Sequence, residues 1–486
     1  MALERAKSAD PTAVDISAWF CSSTGLDYLS RVLELGSDGF LQVEQNAGAR
    51  ATARIGCNVL PSGSDMSRWL GTIESEYCRE IGPLCARCPI HHGCEFFRRR
   101  QQDARRNAVP FIDLFCGAGG LSLGLEQSGF VPVLAVDIDE SAGLTYSFNR
   151  PFLRPGSVVM CDIQRFRVPS ELSGIPLVVG GPPCQGFSSA NRQRTVADGR
   201  NNLYREFVRL LGESGARFCL MENVPGALSI RRALEQEFVS VGFLVAPIVV
   251  SSSDFGYPQN RRRVVWFGEH TKNVFHFTRR VSVLEMALRH VSAEAHRYCL
   301  WDAIHDLPAI SARTVKNRSA QSERWGFTVS PVRECVSPYA QLVNGGILRW
   351  FVLNHRSKYN NARDIEIYSR MRPGDESDAP AIQDIMPYKR REGIFRDKFH
   401  RLNPAQPCRT ITAHMYYDCH MYIHPTQARG LTPREAARVQ GFPDDYFFVG
   451  LPNEWYRQVG DAVSPLVGRQ LGQALTAAMA ESGGEI

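Results

Sequence analysis

Between residues 110 and 268 the chain alternates short apolar runs with stretches of helical period, and this alternation constrains the fold more than any other feature. The runs at 111–115, 131–136, 177–180, 218–221, 244–250 and 264–267 have the length of buried strands. Between them, Leu203, Phe207, Leu210 and Leu211 fall on one face of a helix over 202–213. Ile230, Leu234 and Phe238 do the same over 230–239. Alternating units of this kind predict an α/β fold: a mostly parallel sheet with helices on both faces. Such sheets bind ligands outside the carboxyl ends of their strands, so the residues that follow each run are where chemistry is expected.

The first run leads into Asp113-Leu114-Phe115-Cys116-Gly117-Ala118-Gly119-Gly120. Glycines between a strand and a helix let the backbone pass close to a ligand, although a tight turn alone needs them too. Asp137, at the end of the second run, is placed to accept hydrogen bonds from ribose hydroxyls, and Asp162, after the next extended stretch, to receive an adenine amino group. The loop lacks the Lys-Ser/Thr of a triphosphate cradle, so an adenosine ligand without phosphates fits better. The third run leads into Gly180-Gly181-Pro182-Pro183-Cys184-Gln185-Gly186-Phe187-Ser188. Two prolines constrain the backbone before Cys184, which reads as a buried structural cysteine or as a positioned nucleophile. Glu222 ends the fourth run and points its carboxylate toward the same crevice; Gln259-Asn260-Arg261-Arg262-Arg263 brings arginines beside it.

These motifs, with Arg409-Thr410-Ile411-Thr412, the run from Leu431 to Pro443 and Gly460-Asp461-Ala462-Val463, stand in the order found in DNA cytosine-5 methyltransferases. From about residue 110 to the C-terminus the chain resembles that family. The resemblance implies a Rossmann-like core that uses S-adenosylmethionine, and a thiolate of Cys184 that adds to carbon 6 of a flipped-out cytosine. It further implies that Glu222 holds the N3 proton and exocyclic amine, that Arg263 contacts O2, and that Arg261 supports the active-site loop. Cofactor contacts are implied for Phe115, Gly117, Gly119, Asp137, Asp162, Pro183, Leu203 and Val463. In one departure, the family's last motif reads Gly-Asn where this chain has Gly460-Asp461, which keeps an acceptor and loses an amide donor. The expected organisation is an N-terminal module over 1–107, a catalytic core over 108–269, an irregular mixed target recognition domain over 270–405, and motifs over 406–486 that complete the core. The segment 270–405 is polar and arginine-rich, reads as loops and short elements, and occupies the position at which the family reads base edges in the major groove.

Cys78, Cys85, Cys88 and Cys94 form a C-x6-C-x2-C-x5-C cluster. Four thiolates at such spacing suit a tetrahedral zinc site. The cluster also resembles the iron–sulfur loop of endonuclease III-like DNA glycosylases, which implies a [4Fe–4S] cluster in a small N-terminal metal module. The helix-hairpin-helix of those glycosylases is not visible upstream, so no glycosylase activity is implied. The net charge of +6 and runs such as Arg98-Arg99-Arg100 and Arg261-Arg262-Arg263 suit a nucleic-acid partner. Double-stranded DNA is the expected substrate and a cognate restriction endonuclease a candidate partner. No run of about 18 uncharged apolar residues predicts a membrane span, and the N-terminal residues lack a secretory pattern, so a cytoplasmic, nucleoid-associated protein is expected. Competing readings are a tRNA cytosine-5 methyltransferase, disfavoured by the long recognition segment, and a catalytically silent DNA-binding regulator, disfavoured by intact Cys184, Glu222 and Arg263.

Overall fold

The computed structural model describes residues 13–15, 41–46, 50–55, 105–150, 152–183, 203–316, 328–329, 337–345, 351–387 and 398–481. Near the N-terminus, β1 (Ala13–Asp15), β2 (Leu41–Asn46) and β3 (Arg50–Ile55) form an antiparallel sheet in the order β1-β3-β2. Cys78, Cys85, Cys88 and Cys94 lie outside the described residues. Among the described residues no group of three or more His, Cys, Asp or Glu side chains is placed to hold a metal ion. No helix among them is long and apolar enough to cross a membrane.

The core sheet consists of β4 (Val109–Leu114), β5 (Phe130–Asp137), β6 (Val158–Met160), β7 (Leu177–Gly180), β8 (Phe218–Asn223), β9 (Phe243–Ser251) and β11 (Arg262–His270). Their order is β6-β5-β4-β7-β8-β11-β9. The first five neighbours are parallel, whereas β11 runs antiparallel to both β8 and β9. The sheet is therefore mixed at one edge. The link from β9 to β11 holds only the two-residue strand β10 (Gln259–Asn260) and no helix, and a connection that short returns the chain as an antiparallel neighbour. All six apolar runs of the sequence became strands; β6, with three residues, was too short to stand out. The order reverses at β4: β5 and β6 lie on one side of it, β7 and β8 on the other. This switch point opens a crevice beyond the carboxyl ends of β4 and β7.

Helices α1 (Gly120–Glu126), α2 (Glu140–Phe148), α3 (Leu203–Ser214) and α4 (Arg231–Ser240) cover the sheet, and α5 (Val274–Glu294) follows β11. The 21-residue α5 contradicts the expectation of loops and short elements from 270 onward. It buries Phe277, Leu284 and Leu288 in the same cluster as Phe267 of β11, so the chain is still building the core here. Its apolar positions are diluted by Arg279, Arg280 and Arg289, and the buried Arg280 pairs with the buried Glu269. Beyond α5 lie the short α6 (Leu300–Ile304), α7 (Pro338–Val343) and α8 (Ala362–Arg370). A separate apolar cluster gathers Ile367, Tyr368, Met371, Ile382, Phe399 and Ile423, giving this irregular region a small core of its own.

The C-terminal segment returns to the main core through α9 (Pro433–Gln440), α10 (Pro452–Asp461) and α11 (Pro465–Ala480). Thr432 and Glu435 cap α9 reciprocally, with Pro433 in the first turn. Every residue of α9 is buried, including Arg434, Glu435 and Arg438. Arg438 bridges Asp306 at 2.9 Å and Asp444 at 2.6 Å, and Arg429 grips Glu435 with two nitrogens at 2.7 and 2.6 Å. Both are satisfied charge-assisted contacts, and the Arg438–Asp306 bridge ties together segments 132 residues apart. Helix α11 lies against α1, where a Cβ on Gly120 or Gly124 would strike the Val463 or Pro465 carbonyl oxygen well inside 3.0 Å. Those glycines let two backbones approach and bring Val463 to the edge of the crevice.

Candidate active site

The crevice is a cleft of about 570 Å³, bounded by the ends of β4, β5, β7 and β8 and closed by residues 412–414 and 457–463. Its glycine loop is held in a strained turn. Phe115 has φ 58° and Gly117 φ 51°, and a non-glycine residue reaches that left-handed region only when its surroundings hold it there. Asp137 supplies part of that restraint. Its Oδ2 accepts the Gly117 N–H at 2.8 Å and its Oδ1 the Asp139 N–H at 2.8 Å. Each carboxylate oxygen keeps further acceptor capacity toward the cleft. Burial raises the Asp137 pKa, opposed by those two backbone donors. A Cβ on Gly117 would meet nothing within 4 Å, so the loop is open there. Gly119 behaves differently. It is not among the residues that line the cleft, and a Cβ there would run into the Arg150 guanidinium and Tyr146, so the tight helix start by itself requires a glycine.

Below the loop sits the buried Asp113, which accepts a hydrogen bond from Ser122 Oγ. Burial pushes its carboxyl up to about 7, and the Ser122 bond only partly offsets that. Asp162 caps a short turn by accepting the Gln164 N–H at 3.0 Å, and its side chain also lines the cleft.

The opposite wall carries the other candidate residues. Pro182 is buried and its carbonyl accepts a hydrogen bond from Asn223 Nδ2 at 3.1 Å, which anchors the Gly-Gly-Pro-Pro turn to β8. Pro183 lines the cleft, and the chain continues directly into Cys184, which lies outside the described residues. Glu222 and Arg263 face each other, with Arg263 Nε 2.8 Å from Glu222 Oε1. That contact is an ion pair without the alignment of a hydrogen bond, so Oε1 makes no hydrogen bond among the described residues. Arg261 does not join this pair as a base-holding group; it acts on the backbone. It is buried and donates to the carbonyls of Ile411 at 2.8 Å, Gly460 at 3.3 Å and Ala462 at 2.9 Å. These bonds make it a positioning residue that pins the C-terminal wall; burial lowers its pKa to about 9.

Phe115, Gly117, Asp137, Asp162, Pro183, Leu203, Glu222, Arg261, Arg263 and Val463 thus line one cleft, and of the described candidates only Gly119 does not. Asp461, of the departing last motif, lines it as well, and so do Ile138, Cys161, His414 and Arg457, which went unread as contacts. Ile138 is 73% exposed, an unusual state for isoleucine, and its place directly after Asp137 was the available signal. His414 and Arg457 come from distant segments with no local pattern to mark them.

Comparison with known proteins agrees with this geometry. A family model described as C-5 cytosine-specific DNA methylase matches residues 109–477. The Type II methyltransferase M.DdeI of Desulfomicrobium norvegicum is 32% identical, over 76% of this chain and 88% of its own. M.AgeI of Thalassovita gelatinovora is 30% identical, over 76% and 99%. A crystal structure of an Escherichia coli prophage-encoded DNA modification methyltransferase superposes with a TM-score of 0.58 at 27% identity, covering 76% of this chain and 99% of that one.

Proposed function

Since the chain belongs to the C-5 cytosine-specific DNA methylase family and is a DNA (cytosine-5-)-methyltransferase, we propose that it works through a covalent adduct of Cys184, with Glu222 and Arg263 holding the base. The observation that carries this reading is the juxtaposition of the Glu222–Arg263 pair with Pro183, the residue before Cys184, on the wall of the cleft that also holds Asp137 and Asp162.

The family implies S-adenosylmethionine as methyl donor, and the cleft suits it. About 570 Å³ lies within the usual range of ligand pockets, roughly 300–1,000 Å³. Asp137 has acceptor capacity for ribose hydroxyls, Asp162 for an adenine amine, and the open Gly117 turn lets a ligand lie on the backbone. Leu203, Val463 and Phe115 add apolar wall. The bound donor supplies an electrophilic methyl group.

Carbon 5 of cytosine is a weak nucleophile. The Cys184 thiolate forms an S–C6 bond, and the C5=C6 electron pair becomes available at carbon 5. That pair forms the new C–CH3 bond as the donor's methyl–sulfur bond breaks. Loss of the carbon 5 proton to a base then restores C5=C6 and expels the thiolate. Glu222 Oε1, free of an aligned hydrogen bond, accepts the N3 proton's hydrogen bond, and Arg263 donates to O2. Both act on charge that develops at the ring during addition.

Sequence choice is assigned to residues 270–405. The two relatives above carry the words Type II methyltransferase in their names, which suggests a cognate restriction endonuclease as partner, in the cytoplasm beside the nucleoid. Cys78, Cys85, Cys88 and Cys94 are assigned a structural [4Fe–4S] cluster, supported by spacing alone; one zinc and no iron in anaerobically purified protein would overturn that assignment. The main reading is tested by bisulfite sequencing of DNA from cells expressing the chain. Wild type should protect cytosines in one sequence and Cys184→Ala none; protection by the alanine variant would sink the adduct.

A further inference from the structure

A cation is buried beneath the glycine loop. Arg150 lies just past the end of α2, is 1% exposed and is not among the residues that line the cleft. A buried guanidinium is tolerated only where partners meet it, and its partners here are of two kinds. Nε donates to Glu126 Oε1 at 2.6 Å, and the guanidinium lies 3.8 Å over the Tyr146 ring, next to its own helix. The other bonds reach further. Nη2 donates to the Gly119 carbonyl at 2.8 Å, and Nη1 to the Tyr446 hydroxyl at 3.1 Å. That hydroxyl in turn donates to the Ala118 carbonyl. Two successive carbonyls of the glycine loop are thus held by side chains from two distant segments, one just past α2 and one between α9 and α10.

Stability alone would ask for less. Arg105 lies 3.6 Å from the other oxygen of Glu126 and gives that carboxylate a second cation, and an apolar side chain at 150 would avoid burying a charge. What Arg150 and Tyr446 add is a grip on the loop. Asp137 holds Gly117, and these two side chains hold the next two residues. The loop needs holding, because Phe115 and Gly117 both sit at positive φ. The Gly119–Gly120 peptide is planar and trans, so a carbonyl fixed on Arg150 turns the Gly120 N–H the opposite way. That N–H opens α1, has no partner inside the helix, and belongs to a residue that lines the cleft.

We propose that Arg150 and Tyr446 are positioning residues for methyl transfer: they act together on the Ala118 and Gly119 carbonyls and fix the glycine loop in the shape that receives the donor. This rests on the reading of the cleft as the donor site. Neither side chain touches the donor. Both act through the backbone, and they act as a unit because the Tyr446 hydroxyl is bonded to Arg150 on one side and to the loop on the other.

The test is calorimetric binding of S-adenosylhomocysteine, the demethylated donor, to full-length protein shown to be folded at the assay temperature. Tyr446→Phe removes the hydroxyl and keeps the ring packed against Phe442 and Phe448, at centroid distances of 4.9 and 5.6 Å. Its Kd should rise about five-fold. Arg150→Lys keeps a charge opposite Glu126 but lacks the fork that reaches Glu126, Tyr446 and Gly119 together, and its Kd should rise about ten-fold. The double variant should lose about ten-fold, rather than the roughly fifty-fold of independent effects. Affinity for DNA without cofactor should stay within about two-fold in each. Folded variants that are less stable to urea but bind S-adenosylhomocysteine like wild type would overturn the proposal, as would losses that multiply in the double variant. If Arg150→Lys does not fold, Tyr446→Phe decides alone: an unchanged Kd refutes the grip on the loop. Wild type that binds no S-adenosylhomocysteine would instead overturn the donor-site reading beneath it.

Discussion

Gly120→Ala sets two effects against each other. Gly120 opens α1, where alanine is the better helix former by roughly 1 kcal/mol, so local propensity says the substitution stabilises. Packing says the reverse. The added Cβ falls well inside 3.0 Å of the Val463 carbonyl oxygen, and lies 3.1 Å from Phe442 Cζ and 3.3 Å from Ala462 Cβ. The nearest obstacle is backbone, in the turn between α10 and α11, and cannot rotate aside. Overpacking of this kind costs about 1–3 kcal/mol. Subtracting the propensity gain leaves a net loss of up to about 2 kcal/mol. Because Val463 lines the cleft, the displacement should also weaken S-adenosylhomocysteine binding. Gly212→Ala in α3 is the control: its Cβ meets only the side chain of Val241, at 3.2 Å, so propensity should win and the variant be neutral or stabilised. Urea unfolding midpoints and calorimetric Kd values give both readouts. A Gly120→Ala protein as stable as wild type with unchanged Kd would refute the account of how α11 is seated.

Glu222→Gln should lower turnover far more than DNA affinity, since it acts on charge formed at N3 during addition; equal losses in kcat and Kd would indicate a structural carboxylate. Arg438→Met should destabilise by about 3–5 kcal/mol in chemical denaturation, because it leaves Asp306 and Asp444 buried without their shared cation. Asp113 has its carboxyl raised from 3.8 to about 7, so the folded state holds a proton that the unfolded chain has released, and stability falls as pH rises between those values. The cost of ionising it approaches about 4 kcal/mol, and Asp113→Asn should flatten the decline from pH 4 to 8; an unchanged slope would exclude Asp113 as its source. Grafting the part of residues 270–405 beyond α5 from a relative should change the methylated sequence while leaving S-adenosylhomocysteine affinity alone; an active hybrid that keeps the original site would relocate specificity.

The parts legible in the sequence were those with local physical signatures. Continuous apolar runs announced six of the seven strands of the core sheet, because strands buried on both faces carry no polar alternation to confuse them. Thr432, Pro433 and Glu435 announced the start of α9 because caps are read within four residues. Helix α5 was missed because its arginines dilute a real period; Phe277, Leu284 and Leu288 recur at helical spacing, but Arg280 occupies a buried position that its ion pair with Glu269 makes tolerable. In the cleft, the glycine loop, Asp137 and Glu222 each stand at or just past the carboxyl end of a strand and were found from that alone. Arg261 had a supporting role only through the family resemblance; the carbonyls it holds were not legible around it, since they lie 150 to 201 residues away. That Gly119 also makes room for Arg150 and Tyr146 was not legible, because those side chains come from the end of α2, about thirty residues on.

The central claim is that methylation proceeds through a bond between Cys184 and carbon 6 of the target cytosine. A DNA duplex carrying 5-fluorocytosine at the methylated position tests it most directly, because fluorine at carbon 5 cannot leave as a proton does and the adduct persists. With S-adenosylmethionine present, the account predicts a stable protein–DNA complex of one chain per duplex. Peptide mass spectrometry should place the bond on Cys184, and Cys184→Ala should form none. Turnover of the normal duplex with no trapped complex on the fluorinated one, or a bond mapped to another cysteine, would contradict it.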